Sequence, residues 1–460
     1  MDVAPGQLTS TFSSVIVQQV TIWLIPVEGC GDEGVPEVSL QVTARYCGRD
    51  ETIDLPEGWR LLGVGNPATT TLLSDVDAAV ARALARPVGM GSLREACAGV
   101  RRVTIAIDDQ TRPTPAGQIL PALLLELRSA GIKDEDVTIL VAKGTHRWPS
   151  EEEVRAKAGP SVAACRVLVH DPDDESGLAF VGTTQRGTPI WVNRAVVEAD
   201  LFLAVGGVVT HYMAGYGGGP KIVLPGVSGR KTIVTNHLLA AGPNALQART
   251  TGNPMYEDML EAAGLARLAM KIDAILDMNN QLVEVVAGSV GLGHQAAIAA
   301  YNRIYGYPVV EQADVTITSG FPLESELLQS CKAVLSADLS TKDGGAIVLL
   351  SACTNGIGPG FGEAISQQPP ISEVWRWVRT GETTPTGGPM VARVLGVQQR
   401  KRVVLVTPNL AEAEVRRMGF DYAPTPKAAL AALRAERPGA SVIVFPAGSA
   451  TNPMPAQVTA

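Results

Sequence analysis

The chain has 460 residues, 46% of them hydrophobic and 18% charged, with a net charge of −8. That length exceeds one ordinary core and sets an expectation of two or three domains. The acidic balance speaks against a nucleic-acid surface, which needs a basic face, and no apolar stretch reaches the about 18 residues that cross a bilayer.

Residues 1–37 carry an apolar patch, VIVQQVTIWLIPV at 15–27. Asp2 and the lack of any early Lys or Arg argue against a secretory signal, so an added N-terminal extension is expected there. From 38 to 66, VSLQVTARY and TIDLP read as short strands with turns between them. A helix follows at about 75–86, with Ser74 or Asp75 as its N-cap. From 102 onward strand and helix alternate: RVTIAI, the helical PAGQILPALLLELRSAG kinked at Pro121, VTILVA, a helix opened by the capping box at Ser150, then CRVLV and DLFLAVGGVV. These runs are short, β-branched and apolar on both faces, as buried parallel strands are. Helical segments fill 228–270. Beyond about 270 a second rhythm begins with KIDAILDM, ADVTITSG, GGAIVLLSAC, RVVLVTP and ASVIVFPAG. The expected architecture is therefore two α/β domains, 38–270 and 271–460, with an active site in the cleft between them. The segment 354–388, rich in Gly, Pro and Thr, reads as a lid or binding loop.

Three of the five histidines sit where an apolar run breaks off: His146 after VTILVA, His170 after CRVLV and His211 after DLFLAVGGVV. A fourth run ends in Asp108-Asp109-Gln110-Thr111-Arg112-Pro113. The carboxyl ends of strands in an open α/β sheet are where ligands bind. One such histidine does no more than cap a turn about half the time; the set of four points to a site. The densest segment runs from His211 to Lys221 and includes Gly217, Gly218 and Gly219, which allow close backbone approach and N–H groups aimed at an anion. Tight packing alone is the plainer reading of those glycines, and the spacing is not that of a Walker loop.

Arg112 offers a bidentate cation for carboxylate or phosphate, with Asp109 and Thr111 orienting it. Gln329 and Lys332 share one face of a helix through ELLQSCKAVLSADL. His237 supports the site from behind, His294 reads as a helix-surface or packing residue, and Asp108, Lys143 and Arg147 flank the motifs. The six cysteines (Cys30, Cys47, Cys97, Cys165, Cys331, Cys353) show no metal or disulfide spacing, and Cys165 and Cys353 read as core residues. Reduced thiols and a cytoplasmic location follow as the default. Any metal needs donors other than protein thiolates.

DDQTRP, KGTHR, His170-Asp171, HYMAGYGGGPKIVLPG and LLQSCKA, in this order and spacing over roughly 38–450, resemble the nickel-dependent lactate racemase family of 2-hydroxyacid racemases and epimerases. The resemblance implies an isomerase with a nickel-pincer nucleotide, a pyridinium mononucleotide that binds nickel through two sulfurs and a ring carbon. It implies His211 as the protein ligand to nickel, with Gly217, Gly218, Gly219, Lys221, Asp109 and Thr111 around the nucleotide. His146 and His170 become the acid/base pair on opposite faces of the substrate, and Arg112, Gln329 and Lys332 its clamp. Implied partners are a small 2-hydroxyacid and the enzymes that build the cofactor, with no nucleic acid and no membrane.

The chain departs from the family at three places. Arg194 follows Asn193 where the family tethers its cofactor through lysine, which implies untethered binding with Arg194 beside the cofactor. Leu328 replaces a tyrosine before the glutamine, and Thr386, Gly387, Gly388 and Pro389 stand where a tryptophan is expected. Two lost aromatic groups imply a substrate larger or more apolar than lactate. A cofactor-free proton-transfer isomerase on the same fold and a non-catalytic nucleotide-binding protein are the competing expectations.

Overall fold

The computed structural model describes residues 40–383 and 387–455, together with the backbone of 16–17 and 20–21. The expected extension over 1–37 otherwise lies outside the described residues, as does Thr386.

Two six-stranded sheets organise the chain. The first has the spatial order Leu282–Gly288, Leu268–Leu276, Leu201–Gly207, Val103–Asp108, Val137–Ala142, Arg166–Val169. All neighbours are parallel except Leu282–Gly288, which runs antiparallel at one edge. The central strands are buried along nearly their whole length, which is why they read as unbroken apolar runs. Arg166–Val169 differs from its expected burial because it is the other edge strand and half-exposed. Helices cover the sheet as expected: Val76–Ala85 is capped by the Asp75 side chain, and Glu151–Ala158 by the Ser150/Glu153 capping box. Pro121 lies within Ala116–Ser129.

The second sheet is parallel throughout, in the order Asp421–Ala423, Arg402–Val406, Thr341–Leu350, Ala313–Ser319, Ser441–Phe445, Arg60–Val64.

Sheet membership corrects the boundary expected near 270. The strand at 268–276 hydrogen-bonds to Leu201–Gly207 and belongs to the first sheet, which continues to Gly288. Conversely, Arg60–Val64 pairs with Ser441–Phe445, and the hairpin Gln41–Tyr46/Arg49–Asp54 packs into the second sheet's core through Val42, Ala44 and Ile53. The expected loop over 354–388 is also corrected. It contains helices Phe361–Ser366 and Ile371–Thr380, the latter burying Val374, Trp375 and Val378. One apolar cluster runs through both halves, from Leu140, Phe202 and Val223 to Val334, Ile347, Trp375 and Leu405, so the domains meet across a shared core. Cys353 lies in that core, and Cys165 packs partly buried against that of the first sheet.

Candidate active site

Because the strands ending at 207, 108, 142 and 169 are consecutive and parallel, their outgoing loops gather at one edge of the first sheet. Asp109 is fully buried there. Its Oδ1 accepts the Thr111 hydroxyl at 2.6 Å, and its Oδ2 lies 2.8 Å from His146 Nδ1. Burial pushes the Asp109 carboxyl up, yet hydrogen bonds from His146 and Thr111, with the charges of His146 and Arg112, outweigh it and leave the group below the usual carboxylate range. An ionised Asp109 accepts from Nδ1–H, which fixes the His146 tautomer and leaves Nε2 with its lone pair. That Nε2 lies 3.4 Å from Arg112 Nη2. A base, its orienting carboxylate and a guanidinium thus stand in line.

His211 leaves the first sheet through a two-residue strand paired with Gly215–Tyr216. Gly215 has φ +78°, and a Cβ there would collide with the Arg249 carbonyl, so the turn that shapes this hairpin requires glycine. The main-chain N–H groups of Met213 and Ala214 donate to His211 Nδ1 at 3.3 and 3.1 Å, and the ring stacks on Tyr212 at 5.1 Å. Nε2 faces Lys221 Nζ at 3.4 Å. Burial, then the charges of Lys221 and Arg112, hold His211 well below its ordinary value, so the ring is neutral.

Burial, with a smaller contribution from the Arg112 charge, lowers Lys221 to about 7 and Lys332 to about 8. Both lysines keep some solvent contact, as groups lining a cleft do. Lys332 sits on helix Leu327–Ser340 of the second domain, near enough to His211 for its charge to lower that ring. Among the described residues none of Arg112, Lys221 and Lys332 forms an ion pair with a carboxylate. One permanent cation and two lysines that protonate near neutral pH, none paired with a carboxylate, make a setting that favours an anion. Gln110, between Asp109 and Arg112, has both side-chain amide atoms buried and unpartnered among the described residues. Among the described residues no group of three His, Cys, Asp or Glu side chains could hold a metal ion.

Other expected site residues go elsewhere. The glycine run is committed to packing: the Gly217 N–H donates to Val209 O, the Gly219 N–H to Asp273 Oδ1 at 3.3 Å, and a Cβ on Gly219 would collide with the His294 ring. This corrects the expectation that Gly217 and Gly219 aim their N–H groups at an anion. Lys221, at the end of the run, does reach the site. Behind the run lies a group the sequence reading missed. Asp273 is held ionised by Lys271 at 2.7 Å and His294 at 3.0 Å, all three fully buried. Two charges inside the apolar strand Leu268–Leu276 were the available signal. Arg194 is also corrected: it is exposed and donates to the carbonyls of Ser176 and Leu178, away from the cation group. Leu328 packs against the shared core and bonds its N–H to Ile357 O, while Gln329, half-buried, makes no side-chain hydrogen bond among the described residues. His237 is buried behind His211 with Nδ1 on Ile233 O. Lys143 is buried over the Trp148 ring at 5.2 Å. Asp108 pairs with Lys157, and Arg147 with Glu153.

His170 is completely buried. Its Nε2 donates to Ser228 O at 2.9 Å and its Nδ1 accepts from Asn193 Nδ2 at 3.2 Å, so no ring nitrogen is left for a substrate in this state. The cause is the hairpin Leu178–Thr183/Pro189–Asn193, whose last residue covers the edge-strand end. Burial holds His170 at about 4, against an opposing contribution from the Ser228 carbonyl. A histidine kept neutral by folding stabilises fully above its unfolded value near 6.5; that contribution is lost as pH falls toward 4, where the unfolded chain binds the extra proton. The loss is on the order of 3 kcal/mol. Urea unfolding between pH 7 and pH 4.5 is expected to show it, with a shallower pH dependence in His170→Gln; an unchanged slope contradicts the assignment.

Comparisons with known proteins bear on this geometry. Family models described as the lactate racemase N-terminal and C-terminal domains match residues 46–248 and 309–451. Two curated lactate racemases, from Thermoanaerobacterium thermosaccharolyticum and Lactiplantibacillus plantarum, are 33% and 31% identical over 284 residues. Those matches cover 61% of this chain and 66% of each relative, just under two thirds of their length. The structure of the lactate racemase apoprotein from the first organism superposes with a TM-score of 0.80 at 26% identity, covering 90% of this chain and 100% of that one.

Proposed function

The chain belongs to the lactate racemase family, and on that premise we propose that it is a 2-hydroxyacid racemase or epimerase that inverts C2 with the aid of a nickel-pincer nucleotide. The observation that carries the reading is the His146–Asp109 pair facing Arg112, with Lys221 and Lys332, lowered by burial to about 7 and about 8, near that guanidinium and unpaired with any carboxylate among the described residues.

The residues fit such a cofactor. His211 offers one neutral imidazole donor, suited to nickel, while a nucleotide with its own sulfur donors supplies the rest and brings negative charge to the unpaired cations. Lys221, 3.4 Å from His211 Nε2, stands ready for its polar groups. When bound, the cofactor supplies a hydride acceptor and donor at the substrate carbon.

The chain's own residues do the remainder. Arg112 and Lys332 bind the substrate carboxylate and hydroxyl oxygens from the two domains and hold C2 in place. His146 Nε2 takes the hydroxyl proton of one enantiomer, with Asp109 stabilising the imidazolium that forms, and gives a proton back only when the reaction runs in the other direction. Inversion also needs a proton donor on the opposite face. His170 takes that role once the Asn193 and Ser228 contacts open; in the closed arrangement it is walled off. Arg194, spent on main-chain carbonyls, forms no tether, so the cofactor is held without a covalent bond. Leu328 in place of tyrosine leaves room for a side chain larger or more apolar than methyl.

Protein produced together with the enzymes that build the cofactor is expected to contain nickel and to racemise a member of a 2-hydroxyacid panel with side chains from methyl to benzyl, best with one larger than methyl. Nickel-free protein, or nickel-containing protein inert on the whole panel, overturns the reading.

A further inference from the structure

A partly open cavity of about 270 Å³ lies between the two domains, with Tyr212, whose ring also stacks on His211, in its wall. The first domain contributes Tyr212, the 240–241 turn, Leu246 and Gln247; helices Leu327–Ser340, Ile371–Thr380 and Gly387–Gln398, with Arg400, contribute the rest. The residues that bind substrate or metal in the reading above, His146, Arg112, Lys332 and His211, are not among its walls.

The chemistry of the walls is specific. Leu335, Leu339, Ile371 and Val397 are aliphatic, and Trp375 and Tyr212 offer ring surfaces. Most polar groups are satisfied internally. Asp338 accepts from Arg400 and Lys401, Arg400 also reaches Asp343, and Gln247 bonds to Ser336 and Asn452. Arg393 is the exception. Its Nη2 bridges to the carbonyls of Ala240, Gly242 and Ala245, but its Nε is buried with no acceptor, and among the described residues no carboxylate pairs with it. Carbonyl dipoles solvate a guanidinium without neutralising it, and a buried cation lacking a counter-ion is costly unless a ligand provides one.

We propose that this cavity is a second ligand site, separate from the hydroxyacid site, which takes a small carboxylate with an aryl or branched apolar body, its anion directed to Arg393. The volume admits on the order of ten non-hydrogen atoms, taking the about 30 Å³ share of one water as the unit. Because the ligand would touch both domains and the ring that stacks on His211, the site is placed to regulate the centre through Tyr212.

Calorimetric titration of the purified full chain with 3-phenylpropionate tests this. Gly396 lies on the cavity wall, has ordinary helical backbone, and a Cβ there meets only Ile371 Cδ1 at 3.7 Å, so Gly396→Leu fills the cavity without disturbing the helix. The wild-type chain is expected to bind one probe molecule with a Kd tighter than about 1 mM. Binding should weaken at least about tenfold in Gly396→Leu and in Arg393→Met, an effect the size of one lost charge-assisted contact. Arg112→Ala should bind as the wild type does. No saturable binding, or binding lost in Arg112→Ala and kept in Gly396→Leu, overturns the proposal. Melting curves of each variant establish that it is folded.

Discussion

A His146→Ala variant is expected to lose about two to four orders of magnitude in racemase turnover, the usual range for removing a positioned acid/base group, with its nickel content and melting temperature unchanged. The expectation follows from how His146 is held. Asp109 has no access to solvent, and two of its three hydrogen bonds come from Thr111, so its carboxylate is oriented before any substrate arrives. It directs Nδ1–H inward and Nε2 toward Arg112. Asp109→Asn is expected to lower turnover as well, because an amide can donate to Nδ1 and favour the wrong tautomer. Steady-state assays of both variants with matched metal analysis check this. Wild-type turnover in His146→Ala would place the proton transfer elsewhere.

The second large effect falls on His211. His211→Ala is expected to abolish nickel retention and reduce racemisation to background, since among the described residues no other cluster of metal-ligating side chains is available. The ring is pre-set for the task. Two main-chain N–H groups and the Tyr212 ring fix the position of the imidazole, and burial keeps it neutral; because Nδ1 accepts, the ring proton sits on Nε2, and a metal binding there displaces it. Metal analysis of the variant after gel filtration, alongside folded wild-type protein from the same host, checks the prediction. A variant that keeps nickel at the wild-type ratio would show that His211 is not the ligand.

Much of this arrangement was legible in the sequence, for a physical reason. Strands buried on both faces write continuous apolar runs, so Val103–Asp108, Val137–Ala142 and Leu201–Gly207 were readable, and polar residues just past their ends had to gather at one sheet edge. What the sequence concealed was long-range. The membership of 268–288 in the first sheet and of 60–64 in the second depends on hydrogen bonds between segments far apart in the chain. His170 looked equivalent to His146 because both follow apolar runs. Its strand is at the edge, and the hairpin that covers it contributes Asn193 from a distance. The glycines at 217 to 219 read equally well as a ligand loop or as a packing turn, and only the position of His294 and Asp273 decides between them. The helix Ile371–Thr380 was hidden by the Gly, Pro and Thr around it, although ISEVWRWVRT carries a helical apolar spacing.

In the proposed reaction C2 is inverted by hydride transfer to and from a bound cofactor, with the histidine side chains moving only the hydroxyl proton. It is tested most directly by racemising a 2-hydroxyacid labelled with deuterium at C2 in ordinary water and following the label in both enantiomers by mass spectrometry. Hydride transfer predicts that the product enantiomer keeps its deuterium, because the migrating atom never meets solvent. Label washed out in step with racemisation would contradict the account and leave a cofactor-free proton abstraction at C2 in its place.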